Sequence, residues 1–349
     1  MRRCSVLASA ILANCLSAQT WVLHDSRVTA SLRGVSAVNH RVVWASGSGG
    51  TYLRTTDGGT TWRAAIVPGA ETLDFRGVHA VDARVAYLLA SGLGEKSRIY
   101  ETTDAGAHWT LQFTNPDPKG FFDAIAFWDA RHGIVLGDPV DGEFVIFTTI
   151  DGGAHWIRQH TPPALPAEGA FAASNTCLIV QGRRDVWFAT GGPGGARVFH
   201  SEDSGRSWTA ARTPVRNDAA SAGIFSLAFS DDRHGIAVGG DYTKPAEREH
   251  NMAVTSDGGR TWTEPEGAYP NGYRSAAAFV PDQKMWVAAG TTGSDVSYDD
   301  GRTWKLFDSG AFNALSFISS RTGWAVGPDG RIAEFRSSPS TVKRGHRVR

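Results

Sequence analysis

Cysteine is scarce in this chain. Of 349 residues only Cys4, Cys15 and Cys177 are cysteines. The first two lie so near the start that loss of a short leader leaves one thiol and no internal disulfide. Net charge is missing as well, because 35 Lys and Arg balance 35 Asp and Glu. Without an overall field the chain is not drawn to nucleic acid or to an anionic membrane, so any binding comes from local patches. No segment holds about 18 uninterrupted apolar residues, and no transmembrane helix is expected. A phosphate loop is also lacking: "GSGG" at 47 and "GGPGG" at 191 are followed by no helix, Lys or Ser/Thr pattern and read as turns. No dinucleotide or other cofactor is expected. The abundant residues are glycine, at 40, and tryptophan, at 12, which suits many short strands joined by tight turns and pinned by large aromatic side chains.

The ends read differently from the rest. "MRRCSVLASAILANCLSAQTW" has two arginines, an apolar run from Cys4 to Leu16 and small residues at Ser17 and Ala18. That is the pattern of a secretory signal spanning 1–18, with cleavage after Ala18 and a periplasmic or secreted product. "LANC" at 12–15 fits a lipoprotein signal ending at Cys15 less well, because Asn14 is atypical before the lipidated cysteine. Residues 336–349, "RSSPSTVKRGHRVR", are polar and basic with no strand pattern and read as a disordered tail.

Between the ends the sequence repeats. "TTDGGTTW" ends at Trp62, "TTDAGAHW" at Trp109, "TIDGGAHW" at Trp156, "SEDSGRSW" at Trp208, "SDGGRTW" at Trp262 and "YDDGRTW" at Trp304. These tryptophans stand 47, 47, 52, 54 and 42 residues apart, the length of one four-stranded propeller blade. Two further elements recur seven times. One is an apolar first strand, as in "RGVSAV" at 33, "GAFAAS" at 169 and "NALSFI" at 313; the other is a second strand such as "VVWASG" at 42 or "GWAVGP" at 323. The seventh period has a third strand, "RIAEF" at 331, but no fourth. "QTWVLHDS" at 19–26 carries Trp21, 41 residues before Trp62, and supplies it. The expectation is an all-β, seven-bladed propeller over residues 19–335, with four-stranded blades and an N-terminal strand closing the last one, which removes an open sheet edge.

In each Asp turn the carboxylate (Asp57, Asp104, Asp151, Asp203, Asp257, Asp299) can accept backbone N–H bonds, a glycine can take positive φ and the tryptophan can wedge between strands. Calcium would need more oxygen ligands than the one or two carboxylates each turn offers, so no metal is expected. The S/T-x-D-x-G-x-T/H-W pattern resembles the Asp box (BNR repeat) of sialidases, sortilin-type receptors and the photosystem II stability and assembly factor family. Seven blades, closure by an N-terminal strand and "GWAVG"-like second strands most resemble the assembly factors. The resemblance covers about residues 19–335 and implies the propeller fold; one fold serves enzymes, receptors and scaffolds alike.

Function is expected on the face opposite the Asp turns, where the inner strands begin. The residues at those entries read as Arg33, Arg76, Asp123, Glu168, Phe225, Arg274 and Asn313. Arginines grip carboxylate, sulfate or phosphate with forked hydrogen bonds, and carboxylates among them can act as acid, base or ion-pair partner. The alternative is an internal plug in which Arg33, Arg76 and Arg274 pair with Asp123 and Glu168. Loops after the second strands add Asp138, Asp141, Asp241, Tyr242, Lys244, Glu95 and Lys96, for which plain turn-forming roles compete. His108 and His155 sit in Asp turns, Cys177 adjoins an apolar strand, and Trp44, Trp187, Trp286 and Trp324 recur at one second-strand position that suits packing between blades.

The first functional expectation is an exported, non-catalytic, monomeric propeller that binds a protein or an anionic ligand such as an acidic glycan, with no nucleic-acid partner. The second follows from the sialidase resemblance: an arginine triad of Arg33, Arg76 and Arg274, Asp123 as acid, Tyr242 as nucleophile and Glu168 as its base. Sialidase propellers have six blades and an F/Y-R-I-P motif, where this chain has "LRGV" and "FRGV".

Overall fold

The Asp turns set the geometry of the ring. In the first, Thr61 donates its N–H to Asp57 Oδ1 at 2.9 Å and its hydroxyl to Oδ2 at 2.6 Å, while Gly59 N–H reaches Thr55 Oγ1 at 3.0 Å. His108, His155, Ser207, Thr261 and Thr303 take the place of Thr61 in the other five. The hydrogen bonds hold the Asp57, Asp104, Asp151 and Asp203 carboxyls at about 2, below the ordinary aspartate range, Asp203 against a counteracting burial. Each turn therefore joins a third strand to the tryptophan that opens the fourth.

The computed structural model describes residues 19–337. The leader read at 1–18 and residues 338–349 of the tail lie outside them. Seven antiparallel sheets follow one another around the ring. Blade 1 consists of Leu32–Ala37, Val43–Gly47, Thr51–Thr55 and Arg63–Ile66, ordered from the channel outward, and blades 2, 3, 4 and 6 repeat that order. Blade 7 takes its inner three strands from Ala314–Ser319, Thr322–Val326 and Ile332–Ser337. Its outer strand is Gln19–His24, paired from Gln19↔Ser337 to His24↔Ile332. Pairing thus continues through Arg336 and Ser337, two residues into the segment read as tail, because the register of Gln19 and Thr20 provides partners there.

Blade 5 has three strands, Ala222–Phe229, Gly235–Asp241 and Met252–Thr255, and only a bridge from Val254 to Thr263 where the fourth would run. Pro265 lies just beyond that bridge and cannot donate to a ladder. Blade 4 departs in another way. Its inner strand is Leu178–Gln181, not the "GAFAAS" segment at 169. Residues 169–176 form a crossing that bridges Gly169 to Gly191 and, through Gly191, to Gly223 of the next blade.

The core lies between the blades. Trp44, Trp187, Trp286 and Trp324 are each at most 1% exposed; Trp44, Trp187 and Trp324 pack toward the next sheet, and Trp286 toward the preceding one, against Ala228, Ile236 and Met252. Trp187 Nε1 donates to Gly258 O at 2.9 Å, and Trp324 meets Trp62 edge-on at 5.3 Å. Room near the axis is short. A Cβ on Gly34 would come 2.7 Å from Ser46 Oγ and 3.1 Å from Val78, which is why a small residue follows the first channel-facing one.

Candidate functional site

An irregularity in the inner strands makes the site. In blades 1, 2, 3 and 5 the pairing of inner and second strands skips one residue, and the skipped residues are Arg33, Arg76, Asp123 and Phe225. A bulge leaves its residue outside the ladder and re-aims the side chain, here into the mouth of the channel. All four line one cavity of about 500 Å³, joined by Asp138, Phe171, Tyr242, Tyr273, Ser275 and Asn313.

The register also shows which residues do not belong to it. Leu32 N–H donates to Gly327 O at 3.0 Å in the neighbouring blade, Ile224 to Thr190 at 3.2 Å and Phe312 to Gly290 at 3.1 Å. Arg274 makes the same bond to Gly239 at 2.9 Å, so it occupies the slot of Leu32, Ile224 and Phe312, one residue before the channel position. Ser275 is the channel residue of blade 6. Arg274 is buried inside the sheet packing, where Nε meets Asp295 Oδ2 at 2.7 Å, Nη1 meets Tyr273 O and Thr292 Oγ1 at 2.8 Å, and Nη2 meets Asn271 O at 2.9 Å.

Glu168 is likewise displaced from the mouth. Its carboxylate accepts Arg197 Nε at 2.8 Å, Thr190 Oγ1 at 2.6 Å and the Leu165 N–H at 2.8 Å. The crossing at 169–176 carries it away and brings Phe171 to the cavity instead, stacked on Phe225 at 3.9 Å. Asp241 closes its own turn by accepting the Thr243 N–H at 2.9 Å and hydroxyl at 2.7 Å. Lys244, on the same loop, is exposed and does not line the cavity. Neither the plug nor the sialidase-type constellation is assembled: Arg274 and Glu168 are committed elsewhere, and half-exposed Tyr242 has lost the base assigned to it. His108 and His155 are exposed partners of their turn aspartates, and Cys177 is a buried thiol whose pKa burial pushes up.

At the mouth itself the charges are poorly matched. Arg76 Nε is held by Asp74 at 2.8 Å and its Nη1 by Ala172 O at 3.1 Å. Arg33 Nε has no partner, and burial together with the nearby Arg76 lowers its pKa. Asp123 is 1% exposed and neither carboxylate oxygen makes a well-formed hydrogen bond. Burial and then Asp138 push its pKa well up, offset in part by Arg76 and the Ala172 amide. Asp138 accepts one bond, from Ala170 N–H at 2.9 Å, and burial raises its pKa to about 6.

A folded pKa raised from 3.8 to about 6 means that the acid form's stabilising contribution is complete below 3.8 and is lost as pH rises through 6. Asp138→Asn is therefore expected to be more stable than the parent at pH 7.5, by on the order of 2 kcal/mol. Urea denaturation of both proteins at pH 7.5 and pH 4 checks this, the difference closing at the lower pH.

Among the described residues no group of His, Cys, Asp and Glu is placed to hold a metal ion, and no helix is long and apolar enough to cross a membrane. No protein-family model matches the sequence, and a search of curated proteins found no match. Solved structures do resemble it. A structure of YCF48 bound to D1 peptide superposes with a TM-score of 0.64 at 17% identity, covering 94% of this chain and 99% of that one. YCF48 from Cyanidioschyzon merolae gives 0.57 at 16% identity over 90% of this chain and 98% of that one. The WD40 propeller domain of Doa1 gives 0.61 at 12% identity over 93% and 99%. At these identities the likeness is one of fold.

Proposed function

We propose that this chain is an exported, monomeric, non-catalytic Asp-box (BNR-repeat) propeller that captures a protein partner at the channel mouth through an anionic group, in the manner of an assembly factor. The observation that carries the reading is the pair Arg33 and Arg76, both delivered to one cavity by bulges, with Arg33 Nε lacking any acceptor. A carboxylate offered by a partner completes that guanidinium with charge-assisted hydrogen bonds in a partly desolvated site, where such bonds are strongest. A propeller of the same fold, YCF48, is bound to D1 peptide in its solved structure. The signal-like pattern of 1–18 supports export, with capture in the periplasm or outside the cell.

Reversing both charges with Arg33→Glu and Arg76→Glu is expected to weaken partner capture at least ~30-fold, the equivalent of about 2 kcal/mol or more for a desolvated charge contact. Affinity capture from the exported fraction, followed by titration of the recovered partner, measures it. Undiminished capture by the doubly reversed protein would move the site elsewhere.

A further inference from the structure

An anionic group alone leaves half of the channel mouth unsatisfied. Asp123 presents two buried oxygens that make no well-formed hydrogen bond, although Arg76 and the Ala172 amide lie near enough to act on it. Arg76 gives Nε to Asp74 and Nη1 to the Ala172 carbonyl, which leaves Nη2 for a ligand. Buried acceptors without partners are rare in folded proteins, and their cost is recovered when a ligand brings donors. Arg33 has the opposite deficit, a buried Nε–H without an acceptor. The two deficits line the same cavity and do not cancel each other.

The arrangement around the cavity is ordered. Blades 1 and 2 contribute the arginines and blade 3 contributes Asp123 and Asp138. Next to Asp138, which is tied to the Ala170 amide, Phe171 stacks on Phe225 and walls the cavity with aromatic surface. A carboxyl pair beside aromatic rings suits a cation, which gains from both the charge and the ring quadrupoles. An anion without a cation would satisfy Arg33 while adding charge near two carboxyl groups.

We propose that the mouth is a dipolar subsite: its ligand places a carboxylate on Arg33 and Arg76 and an amine or guanidinium on Asp123 and Asp138 against the Phe171–Phe225 wall. The inference rests on the binding role proposed above and narrows it to peptide segments or termini carrying both charges close together.

The test titrates the full chain at pH 7.5 with 4-aminobutanoate, 6-aminohexanoate and 8-aminooctanoate beside hexanoate and hexylammonium, reading affinity from NMR shifts. The best dipolar probe is expected to bind at least ~10-fold more tightly than hexanoate or hexylammonium, a factor of ten being 1.4 kcal/mol. Asp123→Asn with Asp138→Asn, nearly isosteric changes, should bring it down to the level of hexanoate without weakening hexanoate itself. Arg33→Gln with Arg76→Gln should weaken both. Equal binding of hexanoate and the dipolar probes, or a preference that survives the asparagine pair, overturns the dipolar subsite while leaving an anion-binding mouth in place. Binding of hexylammonium as tight as any dipolar probe overturns it too, in favour of a cation site. If no probe binds, both the subsite and the anionic reading fall.

Discussion

Replacing Arg274 with alanine is expected to destabilise the protein by roughly 3–5 kcal/mol, the cost of leaving one member of a buried ion pair without its partner. Both side chains of the Arg274–Asp295 pair are fully buried. Removal of the guanidinium strips Asp295 of its main counter-charge, leaves the Tyr273 carbonyl without its donor and leaves the Asn271 carbonyl only the longer bond from Thr292 Oγ1. The expected rescue is specific. In blade 1 the slots of Arg274 and Asp295 are filled by Leu32 and Leu53, and in blade 2 by Phe75 and Tyr100, whose rings meet at 5.6 Å. Arg274→Leu combined with Asp295→Leu imitates blade 1, so the double variant should lose far less stability than the two single variants added together. Chemical denaturation of the four proteins gives the cycle. Simple additivity would show that the pair is not acting as one buried unit.

The second large effect concerns closure of the ring. Trp21 is 6% exposed, donates Nε1 to Ser294 Oγ of blade 6 at 3.0 Å, and contacts Phe312 and Phe335 at ring distances of 5.4 and 5.3 Å. One side chain from the start of the described chain thus ties blade 6 to blade 7. Trp21→Ala is expected to cost about 3–5 kcal/mol through lost burial and the cavity left behind. Deleting residues 19–24 goes further, because it exposes the full edge of Ile332–Ser337 and separates the ends of the ring. Loss of the single cooperative thermal transition, with aggregation at micromolar concentration, is the expected outcome. A deletion that melts as sharply and as high as the parent would show that the ring is held elsewhere.

Much of this architecture is legible from repetition. The Asp turns mark six boundaries, and counting back from their tryptophans finds Trp21 and with it the closing strand. The channel position is legible wherever the following residue alone is small: Gly34 after Arg33, Gly77 after Arg76, Ala124 after Asp123. In "YRSAAAF" that rule is ambiguous. Ser275 is itself small, so Arg274 reads as the channel residue, and only the inter-blade bond to Gly239 shows that it sits one step earlier. Glu168 fails for another reason: an apolar segment, "GAFAAS", imitates a first strand, while the strand itself begins at Leu178 after the crossing. Partners set by tertiary approach, such as Asp295 for Arg274 and Arg197 for Glu168, carry no local signal at all. The orphaned state of Asp123 belongs to the same class, since it depends on where Arg76 spends its hydrogen bonds.

The central claim is that partners dock at the channel mouth and not at the Asp turns. A photo-crosslinking residue at Tyr242, half-exposed beside the cavity, compared with one at Tyr298, similarly exposed in the last Asp turn on the opposite face, tests it directly. The account predicts a discrete crosslinked partner from the exported fraction at position 242, lost when Arg33 and Arg76 are reversed, and none at 298. A crosslink at 298 with none at 242 would contradict it.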